Sequence, residues 1–218
     1  FSCVDDFKVG DSVVVISYDL GANTAGGFGQ FIRVPADWVM PLPKGLDLRE
    51  SMIYGTAGFS AGLAVNLLQK QDIIPRSGPI IVTGATGGVG SVSVTLLAGL
   101  GYSVSASSGK SSAEVFLKKL GASEAIGRKA VNDESGRTLL KELWAGAIDS
   151  VGGNTLATIL KSTIKNGVVL SVGLVSSSKL DTTVFPFILR GISLQGVTTY
   201  GIPMTMRKEI WSKLANEW

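Results

Sequence analysis

The residues best placed to do chemistry lie in one run, Thr83-Gly84-Ala85-Thr86-Gly87-Gly88-Val89-Gly90. An apolar, β-branched stretch, Ile80-Ile81-Val82, leads into it, and Val92 to Leu100 follows with a helical composition. Strand, tight glycine turn and helix form the first crossover of a dinucleotide-binding unit. One glycine permits the sharp turn, one lets the backbone approach a pyrophosphate, and one lets helix and strand pack closely. The free N–H groups and positive end of the helix then face the phosphates. The spacing is Ala85-x-Gly87-x-x-Gly90, with alanine in place of the first glycine, and a purely structural glycine turn is the alternative.

A second group stands where the next strand ends, at Ala106-Ser107-Ser108-Gly109-Lys110. An NAD-preferring site has a carboxylate here, about 20 residues past the glycine turn, to hold the ribose hydroxyls. This chain has hydroxyls and a lysine instead. A carboxylate would repel a 2′-phosphate; Ser108 and Lys110 would hold one, which favours NADP. Arg128, after the following short strand, could close over the adenine end. Val172-Gly173-Leu174 ends a later strand, and ligands bind outside the carboxyl ends of parallel strands, so this turn would lie by the nicotinamide. Asp149 is one carboxylate without a partner for acid–base work and reads as a turn cap. Tyr18, Tyr54 and Tyr200 could donate protons, although tyrosines more often pack.

Composition bounds the alternatives. The 218 residues are 45% hydrophobic and 17% charged with 28 glycines, a globular pattern. The net charge of +3 is small and scattered, so no nucleic-acid footprint is expected. There is no histidine and one cysteine, Cys3, so a zinc site of nitrogen and sulfur ligands and a Ser-His-Asp hydrolase are both excluded within this chain. A single cysteine fits a reducing cytosol. No apolar run is expected to reach the roughly 18 residues that span a bilayer, and no signal peptide is visible.

The elements that must position these residues alternate. Residues 7–16 read as a turn and a strand, 28–34 as a second strand, and 47–69 as two helices or one broken near Gly55–Gly58. Then follow strand 80–83, helix 88–100, strand 102–107, helix 112–120, strand 125–126, helix 134–144, strand 147–151, helix 155–164 and strand 168–172. Residues 184–191, strand 192–197 and helix 204–216 complete the chain. Ser111 and Glu114 look like a capping box, and Gly121 and Gly167 like helix stops. The alternation implies an α/β fold with a doubly wound parallel sheet of the Rossmann type. The last strand, Ile192 to Val197, carries no charge and no proline. As a bare edge it would be sticky, and pairing with a second copy through a two-fold would cover it.

Taken together the chain resembles the medium-chain dehydrogenase/reductase superfamily, in its zinc-free branch of bacterial quinone oxidoreductases and acryloyl-CoA reductases. The residues that carry the resemblance are Gly27-Phe28, Asp37-Trp38, Gly55-Thr56-Ala57-Gly58-Phe59, the glycine turn, Leu120-Gly121-Ala122, Trp144 to Asp149, and Phe185 to Arg190. The resemblance implies residues 1–50 as part of a GroES-like β-rich catalytic domain and 51–218 as a Rossmann domain, with NADPH in the cleft between them. The family pattern continues at both ends. By matching position, Thr86, Gly87, Gly88 and Val89 would contact the pyrophosphate, and Ser108 and Lys110 would hold the 2′-phosphate, with Arg128 nearby. Leu174, Ile188 and Thr199 would line the nicotinamide side. The family more often has arginine where Lys110 stands, and lysine lacks its planar fork. The implied activity is NADPH-dependent reduction of an activated carbon–carbon double bond or a quinone, by a cytoplasmic homodimer acting on a small molecule. A non-catalytic NADPH-binding protein and an NAD-linked dehydrogenase of the same fold are the rival readings, and the proton donor is unassigned.

Overall fold

The computed structural model describes residues 7–218; the cysteine expected to mark a reducing environment lies outside the described residues. The chain forms two compact units, one reaching to Phe59 and including Thr198–Trp218, the other Ser60–Val197. The division by packing therefore differs from the expected division at residue 50: the last 21 residues group with the amino-terminal part.

The larger unit is built on six parallel strands: β3 (Ile80–Thr83), β4 (Val104–Ser108), β5 (Glu124–Gly127), β6 (Trp144–Asp149), β7 (Thr163–Ser171) and β8 (Ser193–Gly196). Their order is β5-β4-β3-β6-β7-β8, all parallel, with Ile80 level with Val104 on one side and Gly146 on the other. From β3 the chain winds outward to β5, then returns to the other side of β3 as β6. That reversal is the doubly wound Rossmann arrangement, and it opens a crevice at the carboxyl ends of β3 and β6. Every residue of β3, β4 and β6 is buried, as in strands covered on both faces. Helices α2 (Gly88–Gly99), α3 (Glu114–Lys119), α4 (Gly153–Ser162) and α5 (Phe185–Arg190) connect the strands. One core cluster gathers Ile81, Trp144, Ala147, Ile159, Leu160 and Val169 between β3, β6, β7 and α4.

In the smaller unit, β1 (Val13–Val14) pairs antiparallel with β2 (Met40–Pro41). Helix α6 (Met204–Asn216) has the bounds read from its sequence. Its Arg207, 2% exposed, donates to the carbonyls of Ile16, Thr199 and Ile202. The guanidinium lies 4.2 Å over the Tyr18 ring, which stacks on Trp38 at 5.0 Å. Tyr18 is thus a packing residue. Helix α1 (Leu48–Lys70), whose residues from Ser60 on belong to the larger unit, breaks at Gly55, where φ is 49° and ψ −150°, as the glycine cluster suggested. It is long and apolar enough to cross a membrane by length and composition alone, yet Phe59, Ala61, Ala64, Val65 and Leu68 are fully buried, the pattern of a core helix.

Four expectations are corrected. Residues 28–34 form no strand; Phe28 and Phe31 are exposed, and among the described residues no strand pairs with them. A strand needs a neighbouring strand to satisfy its backbone, and here Gly29 N–H turns back to the Gly27 carbonyl at 3.0 Å instead. The helix expected at 134–144 is absent. This segment is irregular up to β6, with Leu140 and Leu143 N–H donating to the carbonyls of Lys161 and Ser162. Arg190 then locks it by donating to Leu140, Lys161 and Thr163 carbonyls. Ser111 caps nothing, because Ser111–Ala113 is a 3-10 turn and α3 starts at Glu114 without a side-chain cap. Gly167 lies inside β7, where a Cβ would strike Thr163 and come 2.8 Å from the Ala145 carbonyl oxygen.

The strand–turn–helix contact is the tightest feature that positions the site. A Cβ on Gly90 would collide with the Gly84 carbonyl oxygen and sit 2.7 Å from Ala85 Cα, both backbone atoms that cannot swing aside. Gly90→Ala should destabilise the fold by about 1–3 kcal/mol in urea unfolding. Gly99→Ala, in the same helix with open space around it, should be neutral or stabilising by up to about 1 kcal/mol. Equal effects from the two would show that α2 does not depend on this close approach.

Candidate functional site

The site is assembled at the carboxyl ends of β3, β4 and β6. Gly84 takes φ +58°, a left-handed turn that glycine adopts without strain. Ala85 N–H donates to the Ser107 carbonyl at 3.0 Å and Gly87 N–H to the Gly84 carbonyl at 2.8 Å, closing the turn against β4. Helix α2 then begins at Gly88 with Gly87 as its N-cap and no side chain on its first N–H groups. Gly87 and Gly88 are exposed, and Thr86 and Val89 half-buried. A helix start left uncapped, with exposed glycines, is a geometry that accepts phosphate oxygens.

Thr86 reaches from this turn to the end of β4, with its Oγ1 3.4 Å from Ser108 Oγ. The Ser108 hydroxyl also accepts the Lys110 N–H at 3.1 Å, so Ser108 joins the turn to the loop that carries the lysine. Lys110 and Arg128 stand along a groove of about 540 Å³ with Ser108 and Glu114. A smaller pocket runs from Arg128 and Ser108 inward to Thr83, Gly84 and Val151. The residues read from sequence as the pyrophosphate turn and the 2′-phosphate holders are thus brought together. Leu174 follows Gly173 beyond β7 and is 63% exposed. Ile188 lies on α5 and is 68% exposed, outside this groove. Thr199 belongs to the smaller unit, where Arg207 holds its carbonyl oxygen.

Sequence reasoning undervalued Asp149. It is fully buried at the end of β6 and accepts a 2.5 Å bond from the Thr83 hydroxyl. Val151 N–H and Gly152 N–H donate to the same carboxylate at 3.3 and 2.8 Å. Thr83 Oγ1 in turn accepts Ser150 N–H at 3.2 Å. The Asp149 carbonyl takes Val172 and Gly173 N–H at 2.7 and 3.3 Å. One residue therefore ties together the ends of β3, β6 and β7, and with them the glycine turn and the loop of Leu174. The available signal was positional: Thr83 directly precedes Gly84, and Asp149 ends a strand.

Burial pushes the Asp149 carboxyl above the usual carboxylate range, against the pull of its Thr83, Gly152 and Val151 donors. A folded pKa above the ordinary value of about 3.9 means that folding favours the protonated form. Its stabilising contribution is then full below that value and is lost as pH rises through the folded pKa. The unfolding free energy of the wild type minus that of Asp149→Asn should therefore fall as pH is raised from about 4. Urea titrations across the acid range read this difference; a difference that grows with pH would mean that the donors outweigh burial.

A sequence model described as zinc-binding dehydrogenase matches residues 88–216. The acrylyl-CoA reductase AcuI of Ruegeria pomeroyi is 42% identical over 97% of this chain and 64% of its own length. The crystal structure of the YhdH oxidoreductase from Salmonella enterica in complex with NADP superposes with a TM-score of 0.94 at 44% identity, covering 97% of this chain and 64% of that one. The Bacillus subtilis protein YhfP with NAD bound gives the same TM-score, identity and coverage. The chain thus spans about 64% of the length of the relatives it matches. Zinc in the family description does not fit this chain, which has no histidine and one cysteine; among the described residues no three His, Cys, Asp or Glu side chains gather. With the matched sequence pattern lying on a six-stranded Rossmann sheet, the chain belongs to the zinc-binding dehydrogenase family, within the medium-chain dehydrogenase/reductase superfamily.

Proposed function

We propose that this chain is the cofactor-binding part of an NADPH-dependent reductase that transfers hydride to an activated carbon–carbon double bond, as in an enoyl thioester, or to a quinone. The observation that carries the reading is the cluster of Ser108, Lys110 and Arg128 around one groove, where an NAD site would place a carboxylate. The acrylyl-CoA name of one relative and the NADP bound in another agree with it.

NADPH would supply the hydride. The backbone N–H groups of Gly88 and Val89 would hold its pyrophosphate, with Thr86 beside them, and Ser108, Lys110 and Arg128 its 2′-phosphate. Leu174 would shield the nicotinamide side from water. For an α,β-unsaturated thioester the hydride goes to the β-carbon, and the enolate formed needs hydrogen-bond donors before a proton reaches the α-carbon. No step is routed through zinc, because this chain does not supply the ligands. We assign residues 1–50 to a partial GroES-like domain and 51–218 to the cofactor domain, working in the cytoplasm as a homodimer paired through 192–197. Supporting that pairing, β8 is the outer strand of the sheet with Ser193, Gln195 and Gly196 exposed.

The NAD bound to a relative 44% identical makes NADH the competing cofactor. Fluorescence titration of the chain with both nucleotides separates the two. NADPH should bind more tightly, and Lys110→Ala should weaken NADPH by about 1–3 kcal/mol while sparing NADH. Equal affinities in the wild type would overturn the NADPH assignment. Oxidation of NADPH by acryloyl-CoA, crotonyl-CoA or a quinone, assayed in turn, identifies the acceptor; tight binding with no oxidation by any of them would favour a non-catalytic NADPH-binding role.

A further inference from the structure

Gly109 stands between the two residues assigned to the 2′-phosphate, and its own role is unassigned. Its backbone is outside the left-handed region, so no turn there requires glycine. What a side chain would meet is Arg128. A Cβ on Gly109 would lie 2.7 Å from Nη2, 3.0 Å from Cζ and 3.1 Å from Nε of that residue. Three nearly equal distances place the planar guanidinium broadside against the peptide at 109. Its N–H groups, which lie in that plane, are left along the groove. Among the described residues Arg128 has no hydrogen bond or ion pair, so its donors are free for a ligand. The groove holds Lys110, Arg128 and Lys129 against one carboxylate, Glu114, a balance suited to an anion.

We infer that Gly109 is a specificity-determining residue: by lacking a side chain it seats the Arg128 guanidinium beside Ser108 and Lys110, where its planar fork meets the 2′-phosphate that separates NADPH from NADH. This rests on the NADPH reading above and names the residue on which its selectivity turns. A side chain at 109 displaces only the far end of a long, exposed arginine, so the fold tolerates it while the phosphate loses its fork. Arginine supplies the bidentate geometry that Lys110 lacks, which makes its placement the limiting feature.

The test is a cycle of Gly109→Val, Arg128→Ala and the double variant, with Lys110→Ala beside them, each titrated with NADPH and NADH by fluorescence and checked by thermal unfolding. Gly109→Val should weaken NADPH about tenfold or more and NADH by less than about twofold. The double variant should bind NADPH no more weakly than Arg128→Ala alone, because the arginine is what the glycine protects. Fully additive losses, or equal losses for both nucleotides, would overturn the inference. If Gly109→Val destabilises the protein, Gly109→Ala, with the smallest side chain, should still show the selective loss of NADPH. A wild type without preference for NADPH would defeat the cofactor reading itself. Losses from Lys110→Ala and Arg128→Ala with none from Gly109→Val would defeat this inference alone.

Discussion

The bond from the Thr83 hydroxyl to the buried Asp149 carboxylate is the constraint on which the site depends. In a doubly wound sheet the chain leaves β3 and β6 in opposite directions, so the loops beyond them diverge and a crevice opens. Hydrogen bonds along the strands stop where the strands stop, and cannot hold the two lips of that crevice at a set distance. Asp149 does so with its side chain. It gathers Thr83, Val151 and Gly152 on the carboxylate and Val172 and Gly173 on its carbonyl. Three strand ends then move as one body. Taking a carboxylate out of water costs several kcal/mol unless donors surround it. Here three do, and the geometry they impose is the one that orients the turn from Gly84 to Gly88.

That turn works through backbone, and so through what is missing. Gly90 lacks the Cβ that would hit Gly84, so α2 packs onto β3 and its first N–H groups emerge beside the strand end. Gly87 caps the helix without a side chain, which leaves those N–H groups for a ligand. Ala85 at the position of the usual first glycine is accommodated because the left-handed residue is Gly84, one place earlier. Alanine therefore stands at a position that needs no left-handed backbone.

How much of this was legible follows from how far apart the interacting residues lie. Strand β3 and helices α2 and α6 were read to within a residue, because apolar runs, glycines and helical spacing are local signals. Ser108 closes β4 and Lys110 stands two places on, so their nearness to each other is a local signal. The segment 134–144 was misread because its composition suits a helix, whereas its carbonyls and N–H groups find Arg190 and the Lys161–Ser162 backbone. Such partners, 19 to 50 residues away, leave no local pattern. Residues 28–34 have the apolar content of a strand, but a strand is defined by a neighbour. Asp149 reads from sequence as a turn cap, which its bonds from Val151 and Gly152 bear out, but its bond from Thr83, 66 residues distant, leaves no local signal. The seat of Arg128 on Gly109 needs the loop after β4 and the turn after β5 to be brought side by side, which no spacing in the sequence states.

The two halves of the site also differ in what holds them. Thr83, Asp149, Ala85 and Gly90 are buried, so any change there is felt by the fold as well as by the ligand. Lys110, Gly109 and Arg128 are exposed, and Arg128 packs against a glycine rather than into a core. Exposed cations contribute little to stability, so their identity can change at little cost to the fold. A turn fixed by buried hydrogen bonds and a loop of exposed cations can then vary independently, so a change at the end of β4 leaves the turn from Gly84 to Gly90 undisturbed.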